Sequence, residues 1–334
     1  MKNIYRGDEH PFAQYIRIIG KGKTGSRSLT VEEAEAAMGM ILRGDVLDVQ
    51  LGAFLMLLRV KEETPDELAG FVAAARRHMA APRDIPVDLD WSSYAGKRKH
   101  YPWFLFAVKT LVQNGVRVFM HGASGHTVNR LYTENVLPRL GLTHCRHWND
   151  VRTALDDSGF AYMGLDDLSP PLGEMIALRN VMGLRSPVHT LARLLNPLDA
   201  PYVMQAIFHP AYRASHQAAA ARLGYRNSCV IKGEGGEIER NPDGSCLALR
   251  IVDGVLQEEE WPMIFGTRHT AEEAFVLDDY LAVWRGDRSH DYGEMAVVAT
   301  VALALRTLQR ATSQEEAFTI ARQWWDARDR HALP

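Results

Sequence analysis

Residues 94–103 read YAGKRKHYPW, with one glycine, consecutive cations at Lys97, Arg98 and Lys99, a histidine and a proline; the apolar run FLFAVKTLV follows it. A basic turn that opens a buried helix suits an anion, because helix N-terminal amides and cationic side chains both attract phosphate. Two further stretches carry glycines after apolar runs. FMHGASG sets His121 and Gly122 at the end of a predicted strand, where ligand loops commonly start. VIKGEGGEIE places Gly233, Gly235 and Gly236 among Glu234, Glu237 and Glu239. Three carboxylates so close together suit a magnesium ion, and equally suit a solvated loop face. GKGKTGS at 20–26 lacks a phosphate-loop signature, since the earlier glycine that motif needs is Arg17 here. No Ser/His/Asp or Cys/His spacing stands out, and Cys145, Cys229 and Cys246 are too scattered for a zinc site or a disulfide framework.

The cations are segregated. The chain has 334 residues and a formal net charge of −3. Between Asp90 and Glu134 there is no acid, while Lys97, Arg98, Lys99, Lys109, Arg117 and Arg130 are basic. Between Glu174 and Glu234 the only acid is Asp199, against Arg179, Arg185, Arg193, Arg213, Arg222, Arg226 and Lys232. Such segregation focuses a positive field on one surface of a near-neutral protein; the competing reading is a scatter of solvated faces. Hydrophobic content of 46% and charged content of 24% are ordinary for a globular chain. No apolar run is long enough to cross a membrane, and the N-terminus lacks the apolar core of a leader. A cytoplasmic protein with reduced cysteines and no membrane partner is expected.

These residues need a scaffold. The first 80 residues read as helices. LTVEEAEAAMGMILRG has a capping box from Thr30 to Glu33 and a stop at Gly44, and TPDELAGFVAAARRHM has Thr64, Pro65 and Glu67 in the corresponding places. VQLGAFLMLLRV between them is apolar nearly all round, which predicts a buried helix. AAPRDIPVDLD reads as a crossing into a second domain. Strand and helix patterns then alternate: VRVFMHG, FAYMGL, YVMQAIF and NSCVIKG as strands, with WFLFAVKTLVQNG, NRLYTENVLPRLG, LGEMIALRNVMGL, VHTLARLL and YRASHQAAAARLG as helices. Three more helices are predicted from Ala271 onward. The expected fold is α/β: a small N-terminal helical domain plus a large domain whose mainly parallel sheet is flanked by helices.

The order of these features resembles the anthranilate phosphoribosyltransferases, of glycosyl transferase family 3 with the nucleoside-phosphorylase-type fold. The resemblance runs through most of the chain. It is clearest in LTVEEAEAAMGMILRGDVLDVQLGAFLMLLRVKEETPDELAGF and continues through MHG, ALRNVMGLRSPVHTLARLLNP and VIKGEGGEIE. It implies a helical domain of residues 1–83 joined by 171–196, an α/β domain of 84–170 and 197–334, and a homodimer formed through the helical domain.

The site positions depart from that family. Its GTGGD diphosphate loop is replaced by YAGKRKH, which keeps only Gly96; its KHGNR reads MHGAS, its HPAM reads SPPL, and its Asp-Glu metal pair falls on Ile238-Glu239. Arg179 matches the family's substrate-binding arginine. Gly96, His121, Gly122 and Arg179 are then remnants of a phosphoribosyl diphosphate and acceptor pocket. The motifs IGKGK, AGKRK and RSPVHT resemble a branch that keeps the fold, lacks transferase activity and binds nucleic acid without sequence preference. Under that reading Lys97, Arg98, Lys99, Arg179, Arg185 and Arg193 line a basic groove for nucleic acid, with single-stranded DNA the first expectation, and no cofactor or catalytic residue is expected. Tyr94, Tyr101 and Trp103 offer stacking surfaces or core. The alternative is a magnesium-dependent phosphoribosyl transferase, with Glu239 as the remaining metal carboxylate. A partner-binding dimer without a small ligand is the third reading.

Overall fold

The computed structural model describes residues 7–272 and 274–334. The first six residues, where the leader reading begins, and Glu273, inside the helix predicted from Ala271, lie outside the described residues.

Four helices open the chain: α1 (Ala13–Gly20), α2 (Val31–Leu42), α3 (Asp48–Lys61) and α4 (Pro65–Met79). Both predicted capping boxes form: Thr30 and Thr64 accept from the amides of Glu33 and Glu67, whose carboxylates reach back to the threonine amides. α2 and α4 touch closely enough that a Cβ on Gly70 would lie 2.3 Å from the Val31 carbonyl oxygen. α3 corrects one expectation. Only Phe54, Leu55 and Leu58 of it are buried, and Val49 and Val60 are 75% and 82% exposed.

The strands form one eight-stranded sheet in the order β3-β4-β2-β1-β5-β6-β7-β8. They are β1 (Leu89–Ser93), β2 (Val118–Gly122), β3 (His144–Cys145), β4 (Phe160–Gly164), β5 (Tyr202–Ile207), β6 (Ser228–Lys232), β7 (Cys246–Val252) and β8 (Val255–Trp261). β1 to β6 run parallel; β7 and β8 add an antiparallel hairpin at one edge. Alternate residues supply the two faces. Trp91, Met120 and Met204 enter the core that contains Ala296–Val298 of the helix Asp291–Thr307, while Phe119, Met163 and Val203 join the core of α2–α4.

β1 lies in the stretch read as a crossing. Its LDWSS is wholly buried at the sheet centre, yet Asp90, Ser92 and Ser93 give it no apolar run to read. The β7–β8 hairpin also escapes the sequence pattern, because β8 is an exposed edge rich in glutamate. The helix expected over 172–184 is two short ones, Pro170–Ala177 and Arg179–Met182, and the one expected from Ala271 starts at Leu277.

Candidate anion-binding cleft

The parallel strands end together, so the loops after β1, β2, β5 and β6 meet at one edge of the sheet. The loop after β1 turns at Gly96, whose φ of +68° and close neighbour Tyr132 favour glycine. Lys97 then pairs through both backbone groups with Leu131, at 2.8 Å each way.

This loop is satisfied by the chain itself. One oxygen of Glu237 accepts from the amides of Ala95 and Gly96, both at 2.6 Å, and the other accepts from the Ser93 hydroxyl at 2.8 Å. Glu239 accepts from the Phe104 amide at 2.9 Å, in the first turn of the helix α5 (Trp103–Gln113). Its other oxygen lies 2.5 Å from the Lys97 ammonium, which also pairs with Glu234. Two natural anion positions, a turn of amides and a helix N-terminus, are therefore taken by carboxylates. Burial pulls the Lys97 pKa down, and Glu239 and Glu234 more than offset that, so the group stays charged. Burial pushes the Glu237 carboxyl up, against the Gly96, Ser93 and Ala95 donors.

Beside the loop the cations are unpaired. The Arg179 guanidinium donates to the His126 carbonyl and, at 2.8 Å, to Thr127 Oγ1; Arg185 donates to the same oxygen at 3.2 Å. Arg193 donates to the His189 carbonyl and lies 5.9 Å over the Tyr94 ring. Arg130 donates to the carbonyls of Gly96 at 2.9 Å and Gly235 at 3.1 Å, joining the two loops. Among the described residues none of these four arginines forms an ion pair. Burial lowers the Arg185 pKa, and repulsion from Arg179 and Arg130 lowers it further. Burial likewise brings Arg193 down to about 10 and, together with nearby arginines, His126 to about 4. The Glu237 carboxylate acts on Arg193 without pairing with it, and guanidiniums held together with no ion-pair partner attract an anion.

The predicted residues thus divide. Arg179, Arg185 and Arg193 come together, while Arg98 and Lys99 are exposed on the adjoining shelf that Arg130 also lines. Lys97 is 2% exposed and its ammonium faces Glu234 and Glu239, so it does not present charge to a groove as expected. Tyr94, Tyr101 and Trp103 are buried, so the core reading holds for them. His121 is fully buried, bonded to the Tyr94 hydroxyl at 2.7 Å and Asp90 at 3.2 Å, which fixes the strand ends rather than facing a ligand. Gly122 has the Ser93 carbonyl where its Cβ would stand. Sequence reading missed Thr127 and His126, the shelf on which the arginines rest, and the role of Glu237. It also missed Phe208. That ring follows β5, is 48% exposed, packs edge-on against His209 at 4.9 Å and lies beside Gly236.

Comparison with known proteins gives the fold its relatives. The glycosyl transferase family helical bundle domain matches residues 13–79. The protein YbiB of Escherichia coli K12 is 29% identical over 247 residues, covering 72% of this chain and 76% of its own. The anthranilate phosphoribosyltransferase of Methylocella silvestris is 27% identical over 314 residues, covering 91% and 88%. Among solved structures, anthranilate phosphoribosyltransferase from Thermus thermophilus superposes with a TM-score of 0.77 at 20% identity over 95% of this chain and 94% of its own. The Saccharomyces cerevisiae enzyme in complex with PRPP and Mg gives 0.76 at 15% identity over 96% and 94%. The chain has the fold of the anthranilate phosphoribosyltransferases.

That fold brings magnesium into question, and the residues here do not fit it. The ammonium of Lys97 stands between Glu234 and Glu239, and Glu237 is committed to the loop amides.

Proposed function

We propose that the cleft grips the phosphates of a polyanion, a single-stranded nucleic acid bound without sequence preference, and carries no metal-assisted transfer. The carrying observation is the set of unpaired guanidiniums of Arg179, Arg185, Arg193 and Arg130 beside a loop already filled by Glu237, Glu239 and Lys97. Phosphate contacts of this kind give affinity without reading bases. Arg98 and Lys99 extend the track, and the exposed Phe208 ring is a stacking surface for an unpaired base. Lys97 holds the loop rather than the ligand. We place the protein in the cytoplasm as a homodimer paired through its helical domain, which the exposed Val49 and Val60 of α3 support. A fluorescence anisotropy titration of a labelled oligothymidylate at low salt tests the reading. Saturable binding that weakens about tenfold or more in Arg185→Ala is expected; no binding, or binding indifferent to the arginines, refutes it.

The second reading is phosphoribosyl transfer with a changed acceptor. The named relatives favour it over the first, since those reported with an activity are transferases. Arg179 and Gly96 would then serve the acceptor and the diphosphate. Calorimetry with phosphoribosyl diphosphate and Mg2+ separates the two: a defined stoichiometry that requires the metal supports transfer.

A further inference from the structure

We infer that Lys97 is a tethered cation that stands in for a divalent ion: its ammonium closes Glu234 and Glu239 together, so the loop after β1 forms without metal, and removing the ammonium uncovers a divalent-cation site. The inference does not rest on the polyanion reading, because it concerns the interior of the loop and not the arginine cleft.

The geometry carries it. Lys97 reaches Glu239 Oε1 at 2.5 Å and pairs with Glu234 as well, with side-chain exposures of 1%, 0% and 10%. Two carboxylates meeting in a buried space repel each other unless a cation lies between them. Here that cation is delivered by the chain from the loop, one residue after the left-handed turn at Gly96. The Glu239 carboxylate is itself anchored, since it accepts from the amide of Phe104 at the start of α5, and it cannot swing away cheaply when the ammonium is removed. The backbone of Glu234 is fixed beside it, its amide donating to the Glu239 carbonyl at 2.9 Å. Glu237 is not the third member, since both its oxygens are committed to Ser93, Ala95 and Gly96. An ion admitted in place of the ammonium meets two carboxylate oxygens and completes its shell with water, which is how magnesium and manganese commonly bind.

The experiment compares wild type, Lys97→Ala, Glu239→Gln and the double variant Lys97→Ala/Glu239→Gln. Thermal unfolding is followed in EDTA and in Mn2+ at matched ionic strength, and bound Mn2+ is counted by electron paramagnetic resonance. Wild type is expected to show the same midpoint in both solutions and no Mn2+ that depends on Glu239. Lys97→Ala should melt several degrees lower in EDTA, recover in Mn2+, and bind one ion that the double variant lacks. Wild-type Mn2+ binding abolished by Glu239→Gln overturns the inference. So does a Lys97→Ala protein that Mn2+ fails to stabilise while the double variant folds. If Lys97→Ala does not fold at all, the double variant decides: with one carboxylate neutralised it should fold in EDTA, and its failure shows that Lys97 is needed for packing alone.

Discussion

At the scale of single residues, the clearest feature is a site that supplies its own ligands. Glu237 fills the turn of amides, and Lys97 lies between two further carboxylates. Truncating Glu237 orphans the two buried amides of Ala95 and Gly96 and leaves the Ser93 hydroxyl with Thr133 alone, so Glu237→Ala should lower stability by about 3 kcal/mol, seen as a reduced denaturant midpoint. A loss below about 0.5 kcal/mol would mean that water replaces the carboxylate at no cost. Phe208→Ala should weaken single-stranded binding about tenfold while leaving duplex binding nearly unchanged, because only unpaired bases can stack; equal losses on both would remove the ring from the site. The charge run at 97–99 was legible as an anion feature from composition alone. That its first member points inward was not, because burial of Lys97 depends on Glu234 and Glu239, 137 and 142 positions away in the chain. Arg130, Thr127 and His126 were hidden similarly: no local spacing links them to Arg179 and Arg185, and only the sheet edge brings them together.

At the scale of elements, local grammar was readable wherever it is local. Capping boxes at Thr30 and Thr64 and the apolar strands after Arg117 and Gly159 depend on neighbours a few residues apart, and they stand where expected. β1 was not readable, because a central strand carrying Asp90, Ser92 and Ser93 gains its burial from β2 and β5 on either side. Those polar residues have partners there: Asp90 bonds His121, and Ser93 bonds Glu237. The approach of α2 to α4 makes a separate prediction. Gly70→Ala drives a methyl into the Val31 carbonyl and the Ala34 side chain, contacts of 2.3 and 2.7 Å that backbone cannot easily yield. A loss of about 2 kcal/mol is expected in chemical denaturation, despite alanine's better helix propensity. A stabilised variant would show that the two helices are free to separate.

At the scale of the whole molecule, the cleft concentrates positive charge in a protein whose net charge is −3. Burial lowers the His126 pKa to about 4 and that of His189 to about 3, with nearby arginines adding to both. Their folded values lie below the ordinary 6.5, so they contribute stability that is complete above about 6.5 and lost as pH falls toward 4 and then 3. Unfolding midpoints should therefore fall on acidification through that window, and a bound oligonucleotide should offset the fall by neutralising the added charge. A midpoint that is flat from pH 6.5 to 4 contradicts the assignment. The proposed pairing through the helical domain has its own check: it predicts a dimer that Val60→Asp converts to a monomer of 37.5 kDa in light scattering, since Val60 is 82% exposed on α3. The most direct measurement of the central claim is the salt dependence of oligothymidylate binding by wild type and by Arg179→Ala/Arg185→Ala/Arg193→Ala. The logarithm of affinity should fall with the logarithm of salt, and the phosphate contacts of these three arginines should account for about −2 of the slope on a single strand. The triple variant should lose most of that slope together with the affinity. A wild-type slope near zero, or a slope that survives loss of all three arginines, contradicts a phosphate-gripping cleft.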